Sequence, residues 1–261
     1  KEVGILYNET TEQDVNQPEH AVYSWQYYGD SETVEGVLQP EGLLKAEIDP
    51  LGNTVRYVYN ADNLLWKVYE PDDTGTGEHV AKTLVYDAAK RVQTVTDAVG
   101  RVVTFSYDSR DRQVASTYPD TSTEQTLYGT GSEANLVIAR KDRNGNVTIY
   151  RFDASGRKTE EVAAADNVGA TGTILTGYTR PAPPAYLAEA SVTTYQYLDG
   201  TERPITVTRN GEVTSYTYDY RHRVVETTTV PQNGETLTSK NYYVNNLLFA
   251  TEDAYGRKQY R

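Results

Sequence analysis

The chain has no cysteine and no methionine among its 261 residues. The first absence rules out a disulfide frame, a thiolate metal site and a cysteine nucleophile. The second, with a first residue of Lys1, leads us to expect a piece excised from a longer polypeptide. No apolar run approaches the ~18 residues of a membrane-spanning helix, and the opening residues show no signal-peptide pattern. Basic residues are outnumbered: 25 Lys and Arg against 37 Asp and Glu give a net charge of −12. The basic residues are scattered. Generic binding to nucleic acid or anionic lipid, which needs clustered Lys and Arg, is therefore disfavoured. Aliphatic side chains are sparse, and Phe occurs only 3 times. Composition alone would place such a chain near the border of disorder.

What is present argues the other way, because disordered chains are poor in aromatics and this one has 23 Tyr. Aromatic anchors recur at Tyr7, Tyr28, Tyr59, Tyr86, Tyr107, Tyr128, Phe152, Tyr197, Tyr218 and Tyr242, with a basic period of 21 to 24 residues. That period lies in the range of repeat architectures. The surrounding words repeat as well. Tyr86-Asp87, Tyr107-Asp108, Phe152-Asp153 and Tyr218-Asp219 are each followed by Arg five positions after the aromatic, at Arg91, Arg112, Arg157 and Arg223. Tyr59-Asn60 is a weaker copy. Gly stands seven before the anchor at Gly52, Gly100, Gly145 and Gly211, and Asp three before the Gly at Asp49, Asp97 and Asp142. Asp253 and Gly256 open another copy, which Arg261 truncates.

Between Gly and anchor the residues alternate as in a half-buried strand. Pairs such as Tyr57/Tyr59, Phe105/Tyr107, Tyr150/Phe152, Tyr195/Tyr197 and Tyr216/Tyr218 share a face, and Val and Thr fill the pleat. Asp after the anchor starts a turn by bonding the backbone two residues on. Gly156 supplies a positive φ, and Asn144-Gly145 and Asn210-Gly211 are hairpin signals. The expected fold is all-β: stacked antiparallel hairpins in a curved or spiral sheet, without covering helices. We expect a single domain over 1–261, with irregular insertions near 71–80 and 163–190.

The Tyr-Asp words with Arg five after and Gly seven before resemble YD repeats. These occur in bacterial Rhs proteins, in the B and C components of insecticidal toxin complexes and in the teneurins. The resemblance covers essentially the whole chain, most clearly 43–162 and 192–261. It implies a hollow β-shell, which in toxin members encloses a C-terminal toxic segment and in teneurins forms part of an adhesion protein. Asp49-Pro50-Leu51-Gly52 is superficially similar to the family's self-cleavage word, but it lies inside an ordinary repeat and no protease role is assigned to Asp49.

The residues offer no catalytic constellation, cofactor motif or metal-ligand set. Repeated Asp is explained by turns. Asp142-Arg143-Asn144-Gly145-Asn146 lacks the glycine placement and terminal Glu of a calcium loop. A calcium held by Asp72, Asp73 and Glu78 is a weaker alternative to a plain loop at 71–80. His20, His79 and His222 are far apart, and no nucleophile elbow accompanies them. Trp25, Trp66, Tyr178 and Tyr186 are the candidates for ligand stacking, the last two because they lie in an insertion and loops carry function. The expected role is a non-catalytic wall segment of a secreted or cell-surface Rhs-like protein enclosing a toxin or other C-terminal cargo. The partner would be the rest of its own polypeptide, further repeats and the enclosed cargo, with cell-surface glycans or proteins as further candidates, and with no nucleic acid and no membrane insertion. The alternatives are a cell-surface adhesion or carbohydrate-binding module and, less supported, a polysaccharide-active enzyme.

Overall fold

A computed structural model describes residues 23–72, 74, 77–183 and 185–261. Tyr7 and His20 lie outside the described residues. Among the described residues the fold is all-β, with one 3-10 turn at Gly131–Glu133. Among the described residues no helix is long and apolar enough to cross a membrane.

The chain divides into two compact units, one of residues 1–106 with 117–120, the other of 107–116 with 121–261. The first contains β1 (Ser24–Tyr27), β2 (Thr33–Val34), β3 (Val37–Leu38), β4 (Leu44–Ile48), β5 (Thr54–Tyr59), β6 (Leu65–Pro71), β7 (Glu78–Tyr86), β8 (Val92–Asp97) and most of β9 (Val102–Tyr107). Here β1, β4, β5, β6, β7, β8 and β9 pair antiparallel in that order, and β2 and β3 form a separate small hairpin. The second unit contains most of β10 (Gln113–Thr117), then β11 (Thr123–Tyr128), β12 (Val137–Lys141), β13 (Asn146–Phe152), β14 (Lys158–Asn167), β15 (Ser191–Tyr197), β16 (Pro204–Arg209), β17 (Glu212–Tyr218), β18 (Val224–Val230), β19 (Leu237–Val244), β20 (Leu247–Glu252) and β21 (Lys258–Tyr260). From β11 to β21 every strand pairs antiparallel with the next.

Each repeat is thus one hairpin, closed at both ends by a device the sequence spells out. After an anchor the amide of Asp87 donates to Arg91 O (2.9 Å) and that of Lys90 to Asp87 O (2.9 Å). Lys90 has φ +63°. This is a type I turn followed by a left-handed residue and a bulge. The register slips by one residue just before Tyr59, Tyr86, Tyr128, Phe152, Tyr197 and Tyr218. The Asp-x-x-Gly turns use the same geometry: Asp97 N donates to Arg101 O (3.0 Å) and Gly100 has φ +82°. Asn210-Gly211 is a two-residue turn with both φ positive (+47° and +87°) and pairs Arg209 with Glu212. The expected hairpin signal is realised there.

Two expectations are corrected. In the last repeat the slip falls between Tyr242 and Tyr243, so the anchor is Tyr243. Tyr242 is exposed and its hydroxyl donates to Glu252 (2.7 Å). The insertion expected from 163 begins later, because β14 carries on to Asn167, with Val147 opposite Asp166 and Asn146 opposite Asn167. The chain then leaves the sheet and folds back on it.

That excursion supplies what a single sheet lacks. In the second unit Ala139, Val147, Ile149, Val162, Ala165 and Ile174 form a buried cluster, with Val168, Tyr178, Tyr186, Leu127, Ala190 and Val192 packed against it. Ile174 is fully buried. Half of this apolar plug therefore comes from residues that read as a loop. In the first unit Val58, Ala46 and Tyr28 are buried, beside the polar Gln39. Gln39 accepts the Tyr59 amide (2.8 Å) and donates to Tyr59 O (3.2 Å), completing the end of β5 as a neighbouring strand would.

Candidate functional site

The most regular constellation of side chains is the clamp that joins one repeat to the next. Asp87 Oδ1 accepts the amides of Ala89 (2.9 Å) and Arg91 (3.0 Å), and its Oδ2 accepts Arg91 Nε (2.8 Å). Asp108, Asp153 and Asp219 repeat this, with Oδ2 2.8, 2.7 and 2.8 Å from the Nε of Arg112, Arg157 and Arg223. One carboxylate thus caps the turn and fixes the guanidinium. The Arg hydrogen bond holds the carboxyls of Asp87, Asp108 and Asp219 below their ordinary value. Where Asn60 replaces Asp, the turn bonds remain, to Asp62 and Leu64 (both 3.0 Å), but Leu64 stands in the Arg position.

The oriented guanidinium then lies over the ring of a later anchor. Arg112 is 3.5 Å from the centroid of Tyr128, Arg157 4.9 Å from that of Tyr197, and Arg223 4.2 Å from that of Tyr243. Such contacts contribute about 0.5–1 kcal/mol at exposed sites. The anchor hydroxyl closes the clamp. Tyr86 donates to Leu65 O (2.6 Å), Tyr197 to Lys158 O (2.6 Å), Tyr218 to Pro204 O (2.8 Å) and Tyr243 to Val224 O (3.2 Å). Each acceptor is the first strand residue after the preceding anchor's turn. Partial burial raises the Tyr86, Tyr197 and Tyr218 hydroxyls above their ordinary value. The preference for Tyr over Phe follows: the hydroxyl has a fixed acceptor on the neighbouring repeat. Phe152 keeps the Asp153–Arg157 pair and forgoes the hydroxyl bond.

The second constellation fixes the excursion to β11–β14. Arg180 donates to Tyr150 O (2.5 Å) and pairs with Glu133 (2.7 Å). Arg151 donates to Pro181 O and pairs with Glu160 (2.9 Å), which also accepts the Tyr186 hydroxyl (2.6 Å). Gln125 accepts the Ile174 amide (2.7 Å). Lys141, 2% exposed, sends its ammonium to carbonyls of the excursion: Ala170 O at 2.9 Å, Gly172 O at 2.6 Å and Gly169 O at 3.3 Å. Burial pulls its pKa down, with the charge of Asp142 opposing. Gly145 serves twice: it has φ +93°, and a Cβ there would lie 2.3 Å from the Gly169 carbonyl carbon.

The four candidates for ligand stacking do not converge. Tyr178 and Tyr186 both pack on the apolar cluster. Among the described residues the buried Tyr178 hydroxyl has no hydrogen-bond partner, and burial pushes it up to about 12. Trp25 is half-buried on β1 opposite Glu47. Trp66 is the residue skipped by the β5–β6 register, with Lys67 Nζ 4.2 Å from its ring centroid. At 71–80, Asp73 lies outside the described residues. Asp72 accepts Thr74 Oγ1 (2.6 Å), and Glu78 accepts Arg56 Nε (3.0 Å). Among the described residues no three His, Asp or Glu are placed to hold a metal. His79 sits on β7 opposite Glu70, and His222 is the left-handed residue of its turn.

Sequence reasoning missed Lys141, Arg151, Arg180 and Ile174. The one signal was phase: Lys141 alternates with Ala139 on the face that carries the core.

Residues 86–123 match the RHS repeat family. No curated protein sequence matches. The fold is shared with two solved structures of TcdB2-TccC3. The one lacking the hypervariable C-terminal region aligns with a TM-score of 0.54 and the TcdB2-TccC3-TEV form with 0.53, both at 14% identity over 89% of this chain. A Photorhabdus luminescens Tc holotoxin pore carrying TccC3-D651A aligns at 0.47 and 13% identity, over 89% of this chain and 15% of that one. The chain spans only 12% and 13% of the length of the two TcdB2-TccC3 structures. The recurring Tyr-Asp…Arg clamp, the family match at 86–123 and the shared fold bear out the resemblance to the YD-repeat (Rhs) proteins.

Proposed function

We propose that this chain is a non-catalytic wall segment of a large secreted or cell-surface Rhs-like protein, its repeats forming part of a shell around a toxic or other C-terminal cargo. The observation that carries the reading is the use of the clamp. Asp is engaged by its own turn and by Arg, while Arg and Tyr are directed at the neighbouring repeat. Carboxylates tied to Arg in this way are poorly suited to acid–base work near neutral pH, because they stay ionised and engaged. The fold shared with TcdB2-TccC3 supports the same reading. The partner is then the rest of the same polypeptide, further repeats and the enclosed segment.

The test uses the full parent protein. Its C-terminal segment is exposed to protease in the intact protein and in a variant with the clamp removed, Tyr218→Ala with Arg223→Ala. Protection in the first and cleavage in the second is the expected result. A C-terminal segment cut equally fast in both refutes the container.

A further inference from the structure

We infer that the carbonyls of Gly169, Ala170 and Gly172, with the Thr123 hydroxyl, form a recognition site for a small monovalent cation, which the Lys141 ammonium fills from within, and that this cation docks the excursion onto β11–β14. The ammonium has three protons to donate and no acceptor of its own. Its acceptors are the three carbonyl oxygens and Thr123 Oγ1, with no carboxylate among them. Neutral oxygens arranged about a cation are how proteins replace the hydration shell of potassium. The carbonyls are held inward by other bonds. Gln125 Nε2 donates to Gly172 O (3.2 Å), and Thr123 N and Oγ1 donate to Ala170 O (3.0 and 3.2 Å). Val168 N donates to Gly145 O (3.1 Å), fixing where the arch begins. Without the cation the lone pairs that these bonds leave free would face one another beside a buried apolar cluster, and each oxygen would lose its charge-assisted bond.

The rival account is that the Lys141 stem merely packs and that Ile174 and Tyr178 hold the segment. Hydrogen exchange at the amides of 168–176 separates the two in the whole chain. Lys141→Met keeps the stem and removes the charge; exchange there is expected to quicken by at least about tenfold. Lys141→Ala opens the site, and millimolar ethylammonium is expected to restore protection while tetramethylammonium, which has no N–H, does not. Protection unchanged in Lys141→Met, or a Lys141→Ala protein indifferent to ethylammonium, overturns the inference. Should either variant fail to fold, the wild-type protein decides. The Lys141 ammonium protons should persist as a slowly exchanging nitrogen-correlated signal near neutral pH, and exchange as fast as that of surface lysines overturns the site.

Discussion

The fourth position of the anchor turn shows how little this repeat asks of individual residues. Gly156 occupies it in one repeat, yet Asn63, Lys90, Asp111 and His222 occupy it in others, all with φ between +61° and +63°. A side chain in the left-handed region costs about 1–2 kcal/mol, part of which Gly returns through its greater freedom when unfolded. Among the described residues His222 makes no side-chain hydrogen bond that would be lost; its backbone alone is used, the amide donating to Asp219 O (2.8 Å) and the carbonyl accepting from Arg203 Nε (3.2 Å). His222→Gly should therefore raise stability by about 0.5–1 kcal/mol in urea denaturation, and a loss would show that the side chain has a role. The clamp carboxylates set the acid limit. Asp87, Asp108 and Asp219 are lowered in the folded state, first by their Arg hydrogen bonds. A group whose folded pKa is depressed stabilises above its unfolded pKa, about 3.9 for Asp, and that stability is lost as pH falls through the folded value. Stability should thus be flat above about pH 5 and fall below about pH 4. With all three residues changed to Asn the acid-side fall should shrink. An identical acid limb in that variant would place the loss elsewhere.

At the scale of the hairpin, the hydroxyl that makes Tyr the anchor can be separated from the ring. Tyr218→Phe removes one bond, to Pro204 O, and should cost about 1 kcal/mol. Tyr178→Phe removes a buried hydroxyl that has no partner among the described residues and should raise stability by about 0.5–1 kcal/mol. Urea midpoints that move in the same direction for both would break the distinction between clamp and plug. Legibility divides along the same line. Hairpins are written locally: Asp, Gly and the anchor lie within a few residues of the turn they make, so period and word were enough to find them. The choice of Tyr243 over Tyr242 was not legible, since adjacent tyrosines differ only in where the bulge falls. The plug was not legible either. Val168, Ile174, Tyr178 and Tyr186 are spread among Gly and Pro with no period, and their use depends on contacts with strands up to about 50 positions earlier, such as Gln125 with Ile174. A Lys at a strand end reads as solvated, and only the arrival of three carbonyls from the excursion makes Lys141 an interior residue.

For the molecule as a whole, the question raised by so few aliphatics is where stability resides. In repeat arrays it is close to a sum of local terms and neighbour contacts, so uneven burial should give uneven stability. In the second unit the apolar cluster is concentrated on β12 to β15 under the excursion, whereas Tyr242, Val244, Leu247, Phe249 and Tyr260 toward β21 are exposed. Hydrogen exchange should accordingly be slowest at Ile149 and Val162 and quicken from β16 to β20, in steps that follow the hairpins. Ile174→Ala sharpens the test, because it empties a fully buried site of the cluster without touching any clamp. It should cost about 2–4 kcal/mol as read at the amides of β12, β13 and β14, and leave those of β18 to β20 within experimental error. Equal loss along all of these strands would mean that the unit unfolds as one cooperative body, and that the clamps couple repeats more tightly than nearest-neighbour contact allows.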